Sequence, residues 1–315
     1  MAINKVQFQI GLGLVEFFDR FTEEDCKDYI RKQKWPQGFI CRRCSHHKES
    51  LQKRANCEIH ECLSCFYQES LIAHTLFEHT RLPLRTWFLA IQILTQAKTC
   101  ISALELHRQL NVNFKTALSL KHKIMQVLTD AESARRLHGR VECNEAYLGG
   151  PSQANSSEDT AKKKTPFIAA VQTDEARHPQ KVVLTAIQSF TEDEIKNWSQ
   201  EHLEKSSLVL TSDLSCFRYF SEYCEHEKYG TSRIGEIPAD YDFKWINTVL
   251  KNVKTAFSGA LHAFNFRKYA YRYLGNMQFR FNHRYDLRQC FYDVINLCIS
   301  SPPITEKKLF SEIAG

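Results

Sequence analysis

The feature that most constrains this chain is a pair of cysteine pairs: Cys41-x2-Cys44, then 17 residues, then Cys62-x2-Cys65. A zinc ion takes four thiolates at the corners of a tetrahedron, and two such knuckles supply them from a short stretch of chain. The surrounding segment has few large apolar side chains, so it cannot bury enough surface to fold unaided and needs an ion to organise it. A structural zinc ribbon held by Cys41, Cys44, Cys62 and Cys65 is the expectation. Cys57 and His60 lie inside the loop without a partner at knuckle spacing and are read as non-ligands.

Twelve cysteines raise the question of disulfides, but the opening MAINKVQFQIGLGLVEFF lacks the basic-then-apolar layout and small-residue cleavage site of an exported chain. A reducing cytoplasm is therefore expected. No uninterrupted apolar run is longer than Trp87 to Ile91, far shorter than the ~20 residues that span a bilayer, so no membrane partner is expected. At 315 residues with 43% apolar content, the chain is long enough for two or three packed domains.

Charge divides the chain further. Residues 1–140 hold 21 Lys/Arg against 14 Asp/Glu, residues 141–242 hold 10 against 18, and residues 243–315 hold 11 against 4. An acidic middle between basic ends suits a polyanion gripped by the outer parts, with a carboxylate site for divalent cations between them.

Thr22 and Asp25 stand at capping-box spacing before a short polar helix that Trp35-Pro36 ends. Leu82-Pro83-Leu84 opens a helix with Leu84, Phe88 and Ile91 on one stripe. Ser102 is placed to cap ALELHRQL, Asn111-Val112-Asn113 makes a turn, and FKTALSLKHKIMQVL follows: the rhythm of a helix-turn-helix. On its second helix Lys115, Ser119, Lys121 and His122 are read as outward-facing, which makes Lys115, Lys121 and His122 candidate DNA contacts.

From Gly139 the pattern turns to strands: RVECNEAYLG, PFIAAVQTD and KVVLTAIQSF, read as a meander. The loop 152–164 is Ser/Lys-rich and expected to be mobile. Thr191 and Glu194 stand at capping-box spacing before an amphipathic helix. Leu208 to Ser212 reads as a buried strand ending in Asp213, where open α/β sheets place their chemistry. In FKWINTVLKNVKTAFSGALHAFN, Asn247 and Lys254 are two turns apart and share a helix face. The basic, aromatic stretch after it, with Arg267, Lys268 and Arg272, suits a helix that packs on one side and tracks phosphates on the other; Lys251 joins these as a candidate DNA contact.

Together WPQGFICRRC, the second knuckle, RLPLRTWFLAIQILTQAKTCISALELHRQL, VECNEAYLGG and WINTVLKNVKTAFSGALHAF resemble the zinc-ribbon insertion-sequence transposases of the DDE, ribonuclease-H-like superfamily. The resemblance runs from about residue 20 to about residue 290. It implies an α+β multidomain chain: a helical lead (1–35), the ribbon (36–80), a helix-turn-helix region (81–137), a ribonuclease-H-like mixed sheet flanked by helices (138–290) and a tail (291–315). It also implies Mg²⁺ or Mn²⁺ as catalytic cofactor and double-stranded DNA as partner, both terminal inverted repeats and target, on the chromosome. At least a dimer is expected on DNA, since two ends must be paired.

The same resemblance places the first metal-binding aspartate of the family at position 144, the second at Asp213, the third ligand at Asn247 and a trailing lysine at Lys254. Position 144, however, is Asn144. At an effective dielectric near 20, a lost carboxylate removes roughly 16 kcal/mol of gross attraction to a divalent ion. Desolvation cancels most of this, and a surviving tenth weakens ion binding more than tenfold. The expectation is a transposase impaired by Asn144, with a catalytically inactive transposase-derived DNA-binding or regulatory protein as the alternative. A zinc-ribbon regulator without any nuclease ancestry is the third reading. Glu142 shares a strand face with residue 144 and is a weak candidate to compensate, whereas Glu145 is expected to point the other way.

Overall fold

Local signals account for most of the elements in the computed structural model, which describes residues 9–54, 57–97, 100–149, 164–228, 243–260 and 265–311. In chain order they are α1 (Leu14–Arg20), α2 (Glu23–Lys34), β1 (Glu49–Arg54), β2 (Cys57–Cys62), β3 (Gln68–Ser70), α3 (Leu84–Gln96), α4 (Ala103–Leu110) and α5 (Phe114–Glu132). Then follow β4 (Arg140–Leu148), β5 (Thr165–Thr173), β6 (Pro179–Ala186), α6 (Glu192–His202), β7 (Leu208–Thr211), a 3-10 helix (Ser215–Glu222) and β8 (Glu225–Lys228). The last elements are α7 (Lys244–Ala260), α8 (Phe266–Asn282), α9 (Leu287–Ser300) and α10 (Glu306–Ser311). The loop expected to be mobile, 152–164, lies outside the described residues except for Lys164. No helix among the described residues is long and apolar enough to cross a membrane.

The chain forms two compact units, one of Met1–Val127 with Tyr285–Gly315 and one of Leu128–Arg284. In the first unit, Thr22 and Asp25 make a full capping box at the start of α2, the Asp25 N–H donating to Thr22 Oγ1 at 3.2 Å and the Thr22 N–H to Asp25 Oδ2 at 2.8 Å. Ser102 caps α4, its Oγ accepting from the Glu105 N–H at 3.0 Å. α3 packs on α9, and Phe291 of α9 meets the rings of Phe17, Phe21 and Phe88 at centroid distances of 6.3, 5.5 and 6.3 Å. The segment read as a tail from residue 291 thus carries α9, whose Phe291, Val294, Ile295 and Cys298 are buried. β1, β2 and β3 form a separate antiparallel sheet beside the knuckles.

In the second unit the sheet order is β6-β5-β4-β7-β8. β4, β5 and β6 make the antiparallel meander, while β7 runs parallel to β4 and β8 parallel to β7. This is a mixed five-stranded sheet flanked by helices, as in the ribonuclease-H-like fold. Side chains alternate across it. Val141, Cys143, Ile168, Val183 and Val209 enter the core with Ile195 and Trp198 of α6 and Phe217 and Phe220 of the 3-10 helix. The opposite face of β4 meets α7, and α8 packs along the edge strand β6.

At that edge, Asn282 spans the backbone of Val182 on the side of β6 that faces no further strand: its Oδ1 accepts the Val182 N–H at 2.8 Å and its Nδ2 donates to the Val182 carbonyl at 3.0 Å. Gln278 Oε1 accepts the Leu184 N–H at 2.8 Å. Both amides are held from behind by Glu132, which accepts from Asn282 Nδ2 at 2.7 Å and Gln278 Nε2 at 3.2 Å. Burial alone would raise the Glu132 carboxyl pKa, but the Arg135 guanidinium and these two amides bring it below its ordinary value.

Thr191 stands before α6 as expected but makes no side-chain cap; its N–H donates to the Ser189 carbonyl at 3.0 Å, and the Glu194 carboxylate accepts the Gln188 N–H at 3.4 Å.

Candidate functional site

The ribbon is built on two knuckles of the same geometry. In the first, the Ser45 N–H returns to the Cys41 carbonyl at 2.8 Å and the Cys41 N–H donates to the His46 carbonyl at 2.8 Å. In the second, Phe66 N–H to Cys62 carbonyl is 3.0 Å and Cys62 N–H to Tyr67 carbonyl is 2.9 Å. The turns bring the sulfurs together: Cys41 Sγ to Cys65 Sγ is 3.6 Å and Cys44 Sγ to Cys62 Sγ is 3.5 Å. All four ligand atoms lie within 4.8 Å of one another. Zn–S bonds of ~2.3 Å in a tetrahedron require S···S of about 3.8 Å, so the cluster fits one such ion with small adjustments. His60 stands apart, buried between Trp35 and Phe39 with Nδ1 2.5 Å from Glu49 Oε2. The side chain of Cys57 lies outside the described residues.

In the second unit the three positions expected to form the metal site lie on neighbouring elements. Asn144 is on β4, one residue past the last β4–β7 pair, Cys143–Thr211. Asp213 is two residues past the end of β7 and exposed, with Lys228 Nζ of β8 3.7 Å from its Oδ1. Asn247 is in the first turn of α7, and Lys254 follows on the same face; both are exposed.

The tie between strand and helix is Glu142. It is 1% exposed, and its Oε2 accepts the backbone N–H groups of Trp245 and Ile246 at 3.1 and 3.0 Å. Two of the four N–H groups that a helix start leaves without intrahelical partners are thereby satisfied, and the positive end of the α7 dipole meets a carboxylate. Arg140 Nη1 holds the other oxygen at 2.8 Å. Glu142 is thus a positioning residue and its carboxylate is committed. By strand alternation Asn144 shares this α7-facing side, two residues on.

Glu145 points to the other face, as expected, and accepts the Ser212 hydroxyl at 2.6 Å, next to Asp213. Asn144 Oδ1 accepts the Glu145 N–H at 3.0 Å. The donor set at positions 144, 213 and 247 therefore holds one carboxylate and two amides. That does not fit a pair of magnesium ions, whose combined charge calls for several carboxylates. Among the described residues, the cysteine cluster is the one group of three or more His, Cys, Asp or Glu side chains gathered closely enough for an ion.

The candidate DNA contacts separate into two groups. Lys115, Lys251 and Lys254 are exposed, and Lys268 is half-buried with its ammonium 5.4 Å from the Tyr269 ring centroid. Lys121 and His122, read as outward, are instead 2% exposed, and Arg272 is fully buried. For His122 the cover is long-range: Phe310 of α10 packs on its ring at 5.9 Å, and nearby Glu306 pairs with Lys115 at 3.4 Å. Desolvation lowers the Lys121 amine to about 8. The side chain of Arg267 lies outside the described residues.

A sheet of order β6-β5-β4-β7-β8, with β7 leading to Asp213 beside the strand that carries Asn144, has the arrangement of a ribonuclease-H-like core. Residues 136–282, wholly inside the second unit, match the family model of the ISXO2-like transposase domain, of the DDE superfamily. A comparison of the chain with curated proteins gives no match.

Proposed function

We propose that this protein is a transposase whose ribbon, with bound zinc, and amino-terminal helices hold the terminal inverted repeats of a mobile element, and whose core performs strand cleavage and strand transfer in impaired form. The observation that carries the reading is the placement of positions 144, 213 and 247 at one end of the β4–β7 pair and the start of α7, in a domain of transposase family. Exposed Lys254, on the face of Asn247, is suited to a DNA phosphate beside them. In enzymes of this chemistry, Mg²⁺ or Mn²⁺ ions activate the attacking hydroxyl and stabilise the leaving oxygen. Here Asp213 is the one charged donor among the three positions, which leaves them short of the carboxylates that a pair of such ions calls for. Pairing of two DNA ends calls for at least a dimer in the complex, acting in the cytoplasm on chromosomal DNA.

A second reading, a DNA-binding or regulatory protein that keeps the fold without the chemistry, is favoured by the commitment of both nearby glutamates, Glu142 to α7 and Glu145 to Ser212. Asn144→Asp separates the two. On a labelled terminal-repeat duplex in Mg²⁺ or Mn²⁺, restoring the carboxylate is expected to raise cleavage at least tenfold, the converse of the loss argued from charge. Equal, robust cutting by both proteins would overturn the role given to Asn144. DNA binding without cutting by either would leave the second reading.

A further inference from the structure

The two ribbon knuckles are alike in backbone but opposite in what they display. Ser45 and Phe66 occupy the same place in each turn, both left-handed, at φ 60° and 59°. Glycine or asparagine suits that conformation, and a bulky side chain is strained in it. Phe66 nevertheless stands there, 71% exposed, with Leu63 of the same knuckle 51% exposed. Neither strain nor exposure serves the ribbon's own stability, since a small polar residue would close the turn equally well, as Ser45 does.

The first knuckle supplies charge. Arg42, Arg43 and Lys48 are all exposed, and the knuckle stretches 41–48 and 62–67 contain no carboxylate. The two knuckles share one end of the ribbon: their sulfurs interleave at 3.5 and 3.6 Å, and the Leu63 N–H donates to the Lys48 carbonyl at 3.1 Å. The three cations outweigh the two negative charges that four thiolates and one Zn²⁺ leave beneath them. A protruding aromatic and an aliphatic side chain on the same ribbon end as two arginines and a lysine match a nucleic acid: bases offer flat faces for stacking, and the flanking phosphates take the cations.

We infer that the knuckle end is a DNA-engaging wedge in which Phe66, supported by Leu63, stacks on a nucleobase while Arg42, Arg43 and Lys48 hold adjacent phosphates. The inference rests on the DNA-binding reading above. It assigns the strain at Phe66 to binding, so stability and affinity respond to substitution in opposite directions.

The test is Phe66→Asn in the full chain loaded with zinc, compared with the unaltered chain and Phe66→Tyr on a short duplex carrying 2-aminopurine. Asparagine suits the left-handed turn, so the melting temperature is expected to hold or rise and zinc content to stay the same. Affinity for the duplex falls about tenfold at fixed salt, in line with one lost base–aromatic stack. The 2-aminopurine signal seen with the unaltered chain disappears, and Phe66→Tyr restores both signal and affinity. Unchanged affinity and signal in Phe66→Asn would overturn the wedge while leaving the DNA-binding reading intact. A fall in melting temperature and zinc content along with affinity would make Phe66 a structural residue and also overturn it. If the unaltered chain binds no duplex even at low salt, both readings fall together.

Discussion

Glu142 shows how one side chain decides the placement of a site from outside the reacting positions. It is buried on β4 and reaches across to the first turn of α7, so strand and helix are locked in one register. Glu142→Ala leaves two backbone N–H groups and the Arg140 guanidinium without that acceptor. Buried donors without partners cost about 1–3 kcal/mol each, with partial relief by water. The expected loss in urea unfolding is about 2–3 kcal/mol, and a loss within error of zero would show that α7 is anchored by something else. The residue was visible in the sequence only as a neighbour of position 144. Its partners are 103 and 104 positions away, and strand periodicity gives the face a side chain points to, not the helix end it meets.

At the scale of elements, the sequence was legible where the controlling interaction is local. Knuckle spacing, the Thr22 and Ser102 caps and the alternation along β4 all depend on residues a few positions apart, and they stand as expected. β8, Glu-His-Glu-Lys, was missed because a short polar edge strand has no alternation of apolar residues to reveal it. α5 was misread for a different reason. Its periodicity marks one apolar face, yet His122 is covered by Phe310 of α10 and Lys115, still exposed, is paired by Glu306, almost two hundred residues further along the chain. That cover places a carboxylate, Glu306, on a lysine otherwise suited to a phosphate. Glu306→Gln is therefore expected to bind duplex DNA several-fold more tightly, with a salt dependence steeper by about one unit of slope. Equal affinity and slope with and without the Glu306 carboxylate would show that Lys115 does not meet DNA.

At the scale of the whole molecule, the chain leaves its first unit at Val127, builds the transposase domain and returns at Tyr285. The return is structural: α9 brings Phe291 into the cluster of Phe17, Phe21 and Phe88. Truncating a buried phenylalanine to alanine costs about 3–5 kcal/mol, and losing the whole helix costs more than a small unit's stability. A fragment of residues 1–127 is expected to show no cooperative melting transition. Joining residues 285–311 to it through a flexible linker should restore one, and a sharp transition in the fragment alone would count against that role for α9. Linear segmentation into domains hides such a return, because composition along the chain carries no record of which distant helix completes a core.

The amides that Asn282 and Gln278 lay along β6 have a consequence for how copies of this protein meet. An unsatisfied strand margin is a template on which another chain can add itself, the first step toward runaway fibre growth. Here two side chains already imitate the missing neighbour, and Glu132 behind them keeps them from swinging away. Polymerisation by sheet extension is thereby blocked at the β6 margin, so a second copy of this chain cannot dock by adding a strand there.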